Sequence, residues 1–443
     1  MKIQATVLFL FMGLFLSAQE PDSLSTKKVW SLEDCISYAL ENNITIKQAA
    51  LEKNSSEVNL TQSKYAKLPN LSSSASQNFS WGSTIDPITS DFVSQQIKAT
   101  NLGLSTSVTL YNGSQLSNTV KQNRLMVEQN ELYVEEAQNN ISLSILEAYL
   151  QILYNKESME VAQNNVIASE KEVERAKARL DAGTITMIDY TDALSQAATN
   201  KTNLISAKNS YAQQIIVLKQ LLELDPSMEL EIASLDNPLL EGQAVPSKLD
   251  VYQNAIGTLP EIKASELGTT INEKDLDIAK GGFLPTLSLT GSLGSGYTST
   301  NDLTFTDQLD VNFNQRIGLS LTVPIFSRYQ NKAQVANAKI GIEQSKLQLQ
   351  TAKKSLYQKI ETAWQNAQSA QEQIEAAKVA SEAAQESYKL AQRKYELNAL
   401  STTDLVISQN TYTNAQLNYL QAKYMGILYN ELLDFYQGNE IKL

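Results

Sequence analysis

Residues 115–179 read QLSNTVKQNRLMVEQNELYVEEAQNNISLSILEAYLQILYNKESMEVAQNNVIASEKEVERAKAR, a run without proline or glycine. Val120, Val127, Val134, Ile141 and Ala148 recur every seven residues, and Ile145, Ile152, Met159, Val166, Val173 and Leu180 form a second such ladder. Sustained seven-residue spacing marks helices that wrap around neighbours. Beyond Gly183 the spacing resumes with Tyr190, Ala197, Leu204, Tyr211 and Leu218. These positions predict a helical hairpin over 112–225 that turns near Gly183. An arm of about 70 residues at about 1.5 Å per residue is roughly 100 Å long. That length suits a wall or a tube rather than a compact domain.

The second half of the chain repeats the first. Leu68-Pro69-Asn70-Leu71 returns as Leu284-Pro285-Thr286-Leu287, and Ile46-Lys47 returns at the same offset as Ile262-Lys263. Val108-Thr109-Leu110-Tyr111 returns as Val323-Pro324-Ile325-Phe326, at an offset shorter by one. At this shorter offset the first ladder becomes Val335, Ile342, Leu349, Leu356 and Ala363, and the tip Thr186-Met187-Ile188-Asp189 becomes Ser401-Thr402-Thr403-Asp404. So many matches with a single shift of register indicate a tandem duplication. The first repeat is expected over 19–247, with strands at about 69–81 and 101–111, the hairpin at about 112–225 and a linker at 226–247. The second is expected over 248–443, with strands at about 285–297 and 314–326 and a hairpin at about 328–436.

The strands are read from a period of two. Leu71, Ser73, Ala75, Gln77, Phe79 and Trp81 share one face, and Asn70, Ser72, Ser74, Ser76, Asn78 and Ser80 share the other. Leu102, Leu104, Thr106, Val108 and Leu110 alternate in the same way with Gly103, Ser105, Ser107 and Thr109. In the second repeat Leu287, Leu289, Gly291 and Leu293 alternate with small hydroxyls, and Ile317, Leu319, Leu321, Val323 and Ile325 with Arg316, Gly318, Ser320 and Thr322. One apolar face marks a half-buried strand. A soluble sandwich shows this pattern, and so does an outer-membrane barrel strand with lipid on one side and water on the other. In lipid a sheet must close, because an open edge leaves backbone groups unpaired. Four strands are too few, since the smallest such barrels have about eight. The barrel is therefore shared: two chains would supply eight strands and three would supply twelve.

The N-terminus has the pattern of a secretion signal over residues 1–18: Lys2, an apolar run from Val7 to Leu16, then Ser17-Ala18 before polar residues. Net charge is −12, which argues against a nucleic-acid partner. The chain has no histidine, so the commonest general base and transition-metal ligand is missing and no serine triad of the usual type is available. No catalytic constellation, cofactor motif or metal-ligand set is visible, and an enzyme is not expected. The single cysteine, Cys35, is expected to be a small core residue.

Chemistry is concentrated at the hairpin tips. Thr186-x-x-Asp189 and Ser401-x-x-Asp404 each fit a helix-capping box, and capping is the simplest role for both aspartates. Asp192 places a second carboxylate one turn after Asp189. In a symmetric oligomer such acids become a ring, which favours cations and can pair with donors that keep a mouth shut. Tyr395 precedes the second tip and is either such a donor or a packing residue.

The order and spacing of these features resemble the TolC family of outer-membrane efflux proteins. The residues that carry the resemblance are the duplication, the Leu-Pro-Asn-Leu and Leu-Pro-Thr-Leu strand starts, the Leu-Tyr-Asn-Gly and Ile-Phe-Ser-Arg strand exits, and both tips. The resemblance covers essentially the whole mature chain. It implies a mainly α protein with a β-barrel part. Duplicated hairpins form a periplasmic α-barrel, and four antiparallel strands per chain contribute to a shared 12-stranded membrane β-barrel. It also implies a homotrimer in the bacterial outer membrane, extending into the periplasm. The tips would dock a periplasmic adaptor and an inner-membrane transporter through Gly183, Thr184, Ile185, Asn398, Ala399 and Leu400. In this family the gate sits at the tips; Asp404 matches its first aspartate and Tyr395 its tyrosine. Ile407 and Leu400 stand at the second aspartate and the arginine. The acid pair lies instead at Asp189 and Asp192. The expected function is a passive exit duct for efflux or type I secretion. The alternative is a periplasmic coiled-coil adaptor or scaffold; one hairpin beside a lipoyl-like β domain is expected there, and two hairpins with four strands count against it.

Overall fold

The computed structural model describes residues 29–85, 90–94, 96–235, 245–397 and 399–442. The signal segment 1–18, Pro238 and Gly242 of the linker, and Asn398 of the second tip lie outside the described residues. In chain order the first half comprises β1 (Val29–Trp30), α1 (Leu32–Asn42), α2 (Ile44–Tyr65), β2 (Asn70–Ser80), β3 (Ser83–Ile85), β4 (Phe92–Ser94), β5 (Ile97–Asn112), α3 (Gln115–Asp181), α4 (Met187–Leu221) and β6 (Glu231–Ile232). The second comprises α5 (Lys248–Thr258), α6 (Pro260–Gly281), β7 (Thr286–Thr298), α7 (Phe305–Val311), β8 (Asn314–Thr322), α8 (Gln330–Glu396) and α9 (Thr402–Tyr436).

Helix lengths match between the halves. Helices α3 and α8 have 67 residues each, and α4 and α9 have 35 each. Helices α2 and α6 have 22 residues each. The starts of α3 and α8 (Gln115 and Gln330) are separated by the same interval as those of α4 and α9 (Met187 and Thr402). The starts of α2 and α6 (Ile44 and Pro260) are one position further apart. The change of offset therefore falls between the start of the second helix and the start of the long arm. Local signals explain the boundaries. Ser31 and Asp34 form a complete capping box at the start of α1. Leu259 ends α5 in extended conformation, and Pro260 occupies the first turn of α6, where its missing N–H costs nothing.

The cores sit where the short helices cross the long arms. In the first, Cys35 and Ala39 of α1 pack with Ile145, Leu146, Tyr149 and Ile152 of α3 and with Leu218. In the second, Val251 and Ala255 of α5 pack with Leu356, Ile360 and Ala363 of α8 and with Leu433. Cys35 is fully buried. The linker after α4 adds β6, which pairs in parallel with β1, and the Tyr149 hydroxyl donates to Trp30 O (3.2 Å) and Ala233 O (2.8 Å) across that pair. From sequence this segment reads as a linker or a small side structure; the strand itself is not legible, because two residues have no period to detect.

Strands β2, β5, β7 and β8 form one antiparallel sheet in that order. Leu71, Leu104, Leu293, Ile317, Leu319 and Leu321 fall on one face, and Ser72, Ser105, Ser292, Gly103, Gly294 and Gly318 on the other. The apolar face is bare in the single chain: Leu71, Ile317, Leu319 and Leu321 are each more than 60% exposed. Two strand bounds differ from expectation. The second strand begins at Ile97 rather than near 101, because it continues pairing with both neighbours. The fourth ends at Thr322 rather than near 326; Pro324 cannot donate to a ladder, and Val323, Ile325 and Phe326 leave the sheet. The loops between strands also carry structure, a β3–β4 hairpin and helix α7. Among the described residues no helix is long and apolar enough to cross a membrane.

Candidate gate at the hairpin tips

Each long hairpin is closed at its tip by a backbone hydrogen bond. At the first tip Gly183 takes φ +71°, and Thr184 N–H donates to Arg179 O at 2.9 Å, closing the end of α3. At the second, Ala399 N–H donates to Lys394 O at 2.8 Å, the same closure at the matching positions of the second repeat.

Asp189 is engaged in its own cap. Its carboxylate accepts from Thr186 N (3.0 Å) and Thr186 Oγ1 (2.7 Å), while Asp189 N donates to Thr186 Oγ1 (3.3 Å). These bonds hold its carboxyl below the usual range. Asp404 accepts from Ser401 Oγ at 2.8 Å, and its N–H donates back at 3.1 Å. Asp192 is exposed. Thr184 is exposed, and Ile185 and Leu400 are half-buried.

Tyr395 is buried between the hairpins, with its hydroxyl 3.5 Å from Thr402 Oγ1. The arginine that meets it comes from the first hairpin. The Arg179 guanidinium stands 4.8 Å from the Tyr395 ring centroid, and its Nη2 donates to Tyr395 O (3.0 Å) and Glu396 O (3.1 Å). Those carbonyls belong to the last turn of α8, which lacks internal partners and carries the negative end of the helix dipole. A cation–π contact and two charge-assisted bonds thus tie the first hairpin to the end of the second.

Arg175 extends the tie, lying 3.2 Å from Glu396 Oε1 and 3.5 Å from Glu172 Oε2. Burial pushes the Glu172 carboxyl up, against the pull of Arg175, the Tyr395 hydroxyl and Arg179. Beside this network lies a cavity of about 340 Å³ whose lining includes Glu172, Arg175, Tyr388, Thr402 and Gln409. A further polar layer joins the hairpins: Asn165 Nδ2 donates to Thr413 Oγ1 (3.0 Å), and Lys423 and Tyr424 both reach Glu157 Oε1. Tyr395 is marked in the sequence by its place before the second tip, whereas Arg175, Arg179, Glu172 and Glu396 are not. Arg179 and Tyr395 lie in different halves of the chain, and on an exposed-looking helix face nothing local marks the arginine.

A one-sided sheet, two roughly 100 Å hairpins and a polar tie at their tips define an outer-membrane channel with a helical extension. The sequence model described as outer membrane efflux protein matches residues 35–223 and 251–426, and the chain belongs to that family. It is 21% identical over 315 residues to the outer membrane protein TolC of Vibrio cholerae, covering 71% of this chain and 69% of that one. It is 22% identical over 248 residues to the outer membrane efflux protein BepC of Brucella suis, covering 55% and 51%. Its fold matches the CmeC outer membrane channel of Campylobacter jejuni with a TM-score of 0.81 at 18% identity, over 93% of this chain and 87% of that one. It matches the open state of the Neisseria gonorrhoeae MtrE outer membrane channel with a TM-score of 0.74 at 20% identity, over 92% and 88%. The protein resides in the outer membrane and extends into the periplasm.

Proposed function

We propose that the chain is the exit duct of a tripartite efflux or type I secretion system, assembled as a homotrimer and fed by a periplasmic adaptor and an inner-membrane transporter. The observation that carries this reading is the sheet. Among the described residues its edge strands β2 and β8 each pair on one side only, and they run in opposite directions because every neighbouring pair is antiparallel. A second copy can therefore add to either edge in the same antiparallel sense, and closure satisfies every backbone group in lipid. The two repeats, 19–247 and 248–443, each supply a strand pair and a hairpin.

The tips are the mouth. Gly183, Thr184, Ile185, Asn398, Ala399 and Leu400 present the adaptor-facing surface. Asp192 supplies the acid ring, Asp189 and Asp404 cap the helices beneath it, and Tyr395 belongs to the tie that keeps the hairpins together. Light scattering in detergent is expected to give three copies, and planar bilayers are expected to show discrete conductance. A monodisperse monomer without conductance would remove the reading.

A further inference from the structure

The four strands of the sheet carry two charged side chains, Lys98 and Arg316. Lys98 is paired with Phe79 and lies on the apolar face, near the stacked rings of Phe79 and Trp81. Arg316 lies on the opposite face. Across the sheet Ser72 pairs with Ser105, Ser105 with Ser292, and Ser292 with Arg316, so three hydroxyls and a guanidinium form one row. Ser72 Oγ and Ser105 Oγ are 2.9 Å apart within it. The next row on one side is Ser74, Gly103, Gly294 and Asn314; on the other it is Asn70, Ser107, Thr290 and Gly318. All of these are small and uncharged. Among the described residues the Arg316 guanidinium has no ion-pair or hydrogen-bond partner.

We infer that Arg316 is a charge filter in the barrel lumen, a site for the carboxylate or phosphate groups of departing cargo. The inference rests on the channel reading, which turns the hydroxyl face inward. Twelve strands spaced about 4.8 Å apart and tilted about 40° give a backbone radius of roughly 12 Å. A long side chain projecting from that wall ends within one Debye length of the axis, about 10 Å at 0.1 M salt. Symmetric copies make a ring of guanidiniums. The adjoining rows are uncharged, the nearest acids along the chain are Asp307 and Asp310 of α7 before the start of β8, and lipid behind the wall focuses the field into the lumen. The serine row offers donors for the oxygens of the same anionic group, and guanidinium forks match those oxygens.

The test is single-channel recording on the full chain, with inorganic pyrophosphate added to each side in turn. Wild type is expected to be blocked. Arg316→Gln is expected to weaken the block about tenfold, whereas Arg316→Lys keeps most of it. Arg316→Glu is expected to move the reversal potential in a KCl gradient toward cations. Lys98→Gln, on the apolar face, is expected to behave as wild type. Conducting channels whose block and reversal potential are the same in wild type, Arg316→Gln and Arg316→Glu would overturn the filter and leave the duct standing. A wild type that does not conduct would remove both.

Discussion

Arg179 holds the end of a helix to which it does not belong, and the consequences are measurable at single residues. Arg179→Ala removes two bonds to orphan carbonyls and the ring contact with Tyr395. A hydrogen bond to a charged group contributes about 1.5–3 kcal/mol when well formed. Part of this is lost to solvent at the half-exposed tip. We expect a severalfold rise in open probability in single-channel recordings, with Arg179→Lys intermediate; unchanged gating would leave Arg179 as a helix cap only. The acids separate by role. Asp189→Ala should speed amide exchange at the start of α4, since losing a cap costs about 1 kcal/mol. Asp192→Ala should instead lower cation preference while leaving exchange unaltered. Glu431 gives a pH signature. Burial pushes its carboxyl up to about 7, against a bond from Lys442 N–H and with Asp434 nearby. The folded chain therefore holds this proton more tightly than the unfolded chain. Its contribution to stability is absent above about pH 7 and grows as pH falls toward the ordinary value of 4.5. Allowing for partial exposure, Glu431→Gln should raise stability at pH 8 by about 1–2 kcal/mol. It should also flatten the melting temperature between pH 8 and 5, which thermal unfolding in detergent would check.

At the scale of elements, the junctions between sheet and helices are more constrained than the helices themselves. Gly113 takes φ +65° between β5 and α3, and a Cβ there would run into the Gly281 carbonyl and Leu284. The Gly281 carbonyl cannot yield, because it is backbone at the end of α6. Gly113→Ala should cost about 2–4 kcal/mol through left-handed strain and overpacking. Its readout is a lower melting temperature in thermal unfolding in detergent. Gly183 is a contrast: φ is +71° but a Cβ there would meet open space. Gly183→Ala should cost only about 1 kcal/mol, from backbone strain alone. The elements that could be read in the chain are those with a sustained period. The ladder positions Ile145, Ile152, Val166, Leu204 and Leu218 are all buried. The capping signals at Ser31, Thr186 and Ser401 mark helix starts within a residue. Short elements such as β6 and α7 could not be read, because segments so brief contain no full repeat of any pattern.

For the whole molecule, the proposed shared barrel makes a prediction between copies. The apolar face of its sheet is exposed, and among the described residues the edge strands β2 and β8 each pair on one side only. Cysteines placed one at a time along 70–80, combined with Ser320→Cys, should give covalent dimers and trimers at one or two positions. Crosslinks confined within a chain would contradict the shared barrel. The native Cys35 is buried and should not interfere.

Period, duplication and turn chemistry determined by themselves that this chain forms two long hairpins and two pairs of one-sided strands. Those features depend on contacts between residues a few positions apart, or on matches between the halves. Only the tertiary structure decided which groups meet across the hairpins. The Arg179 contact with Tyr395, the Glu172 carboxyl raised by burial and the serine row that ends in Arg316 all join segments distant along the chain. Their energies come from geometry and desolvation, which no local spacing of residues encodes.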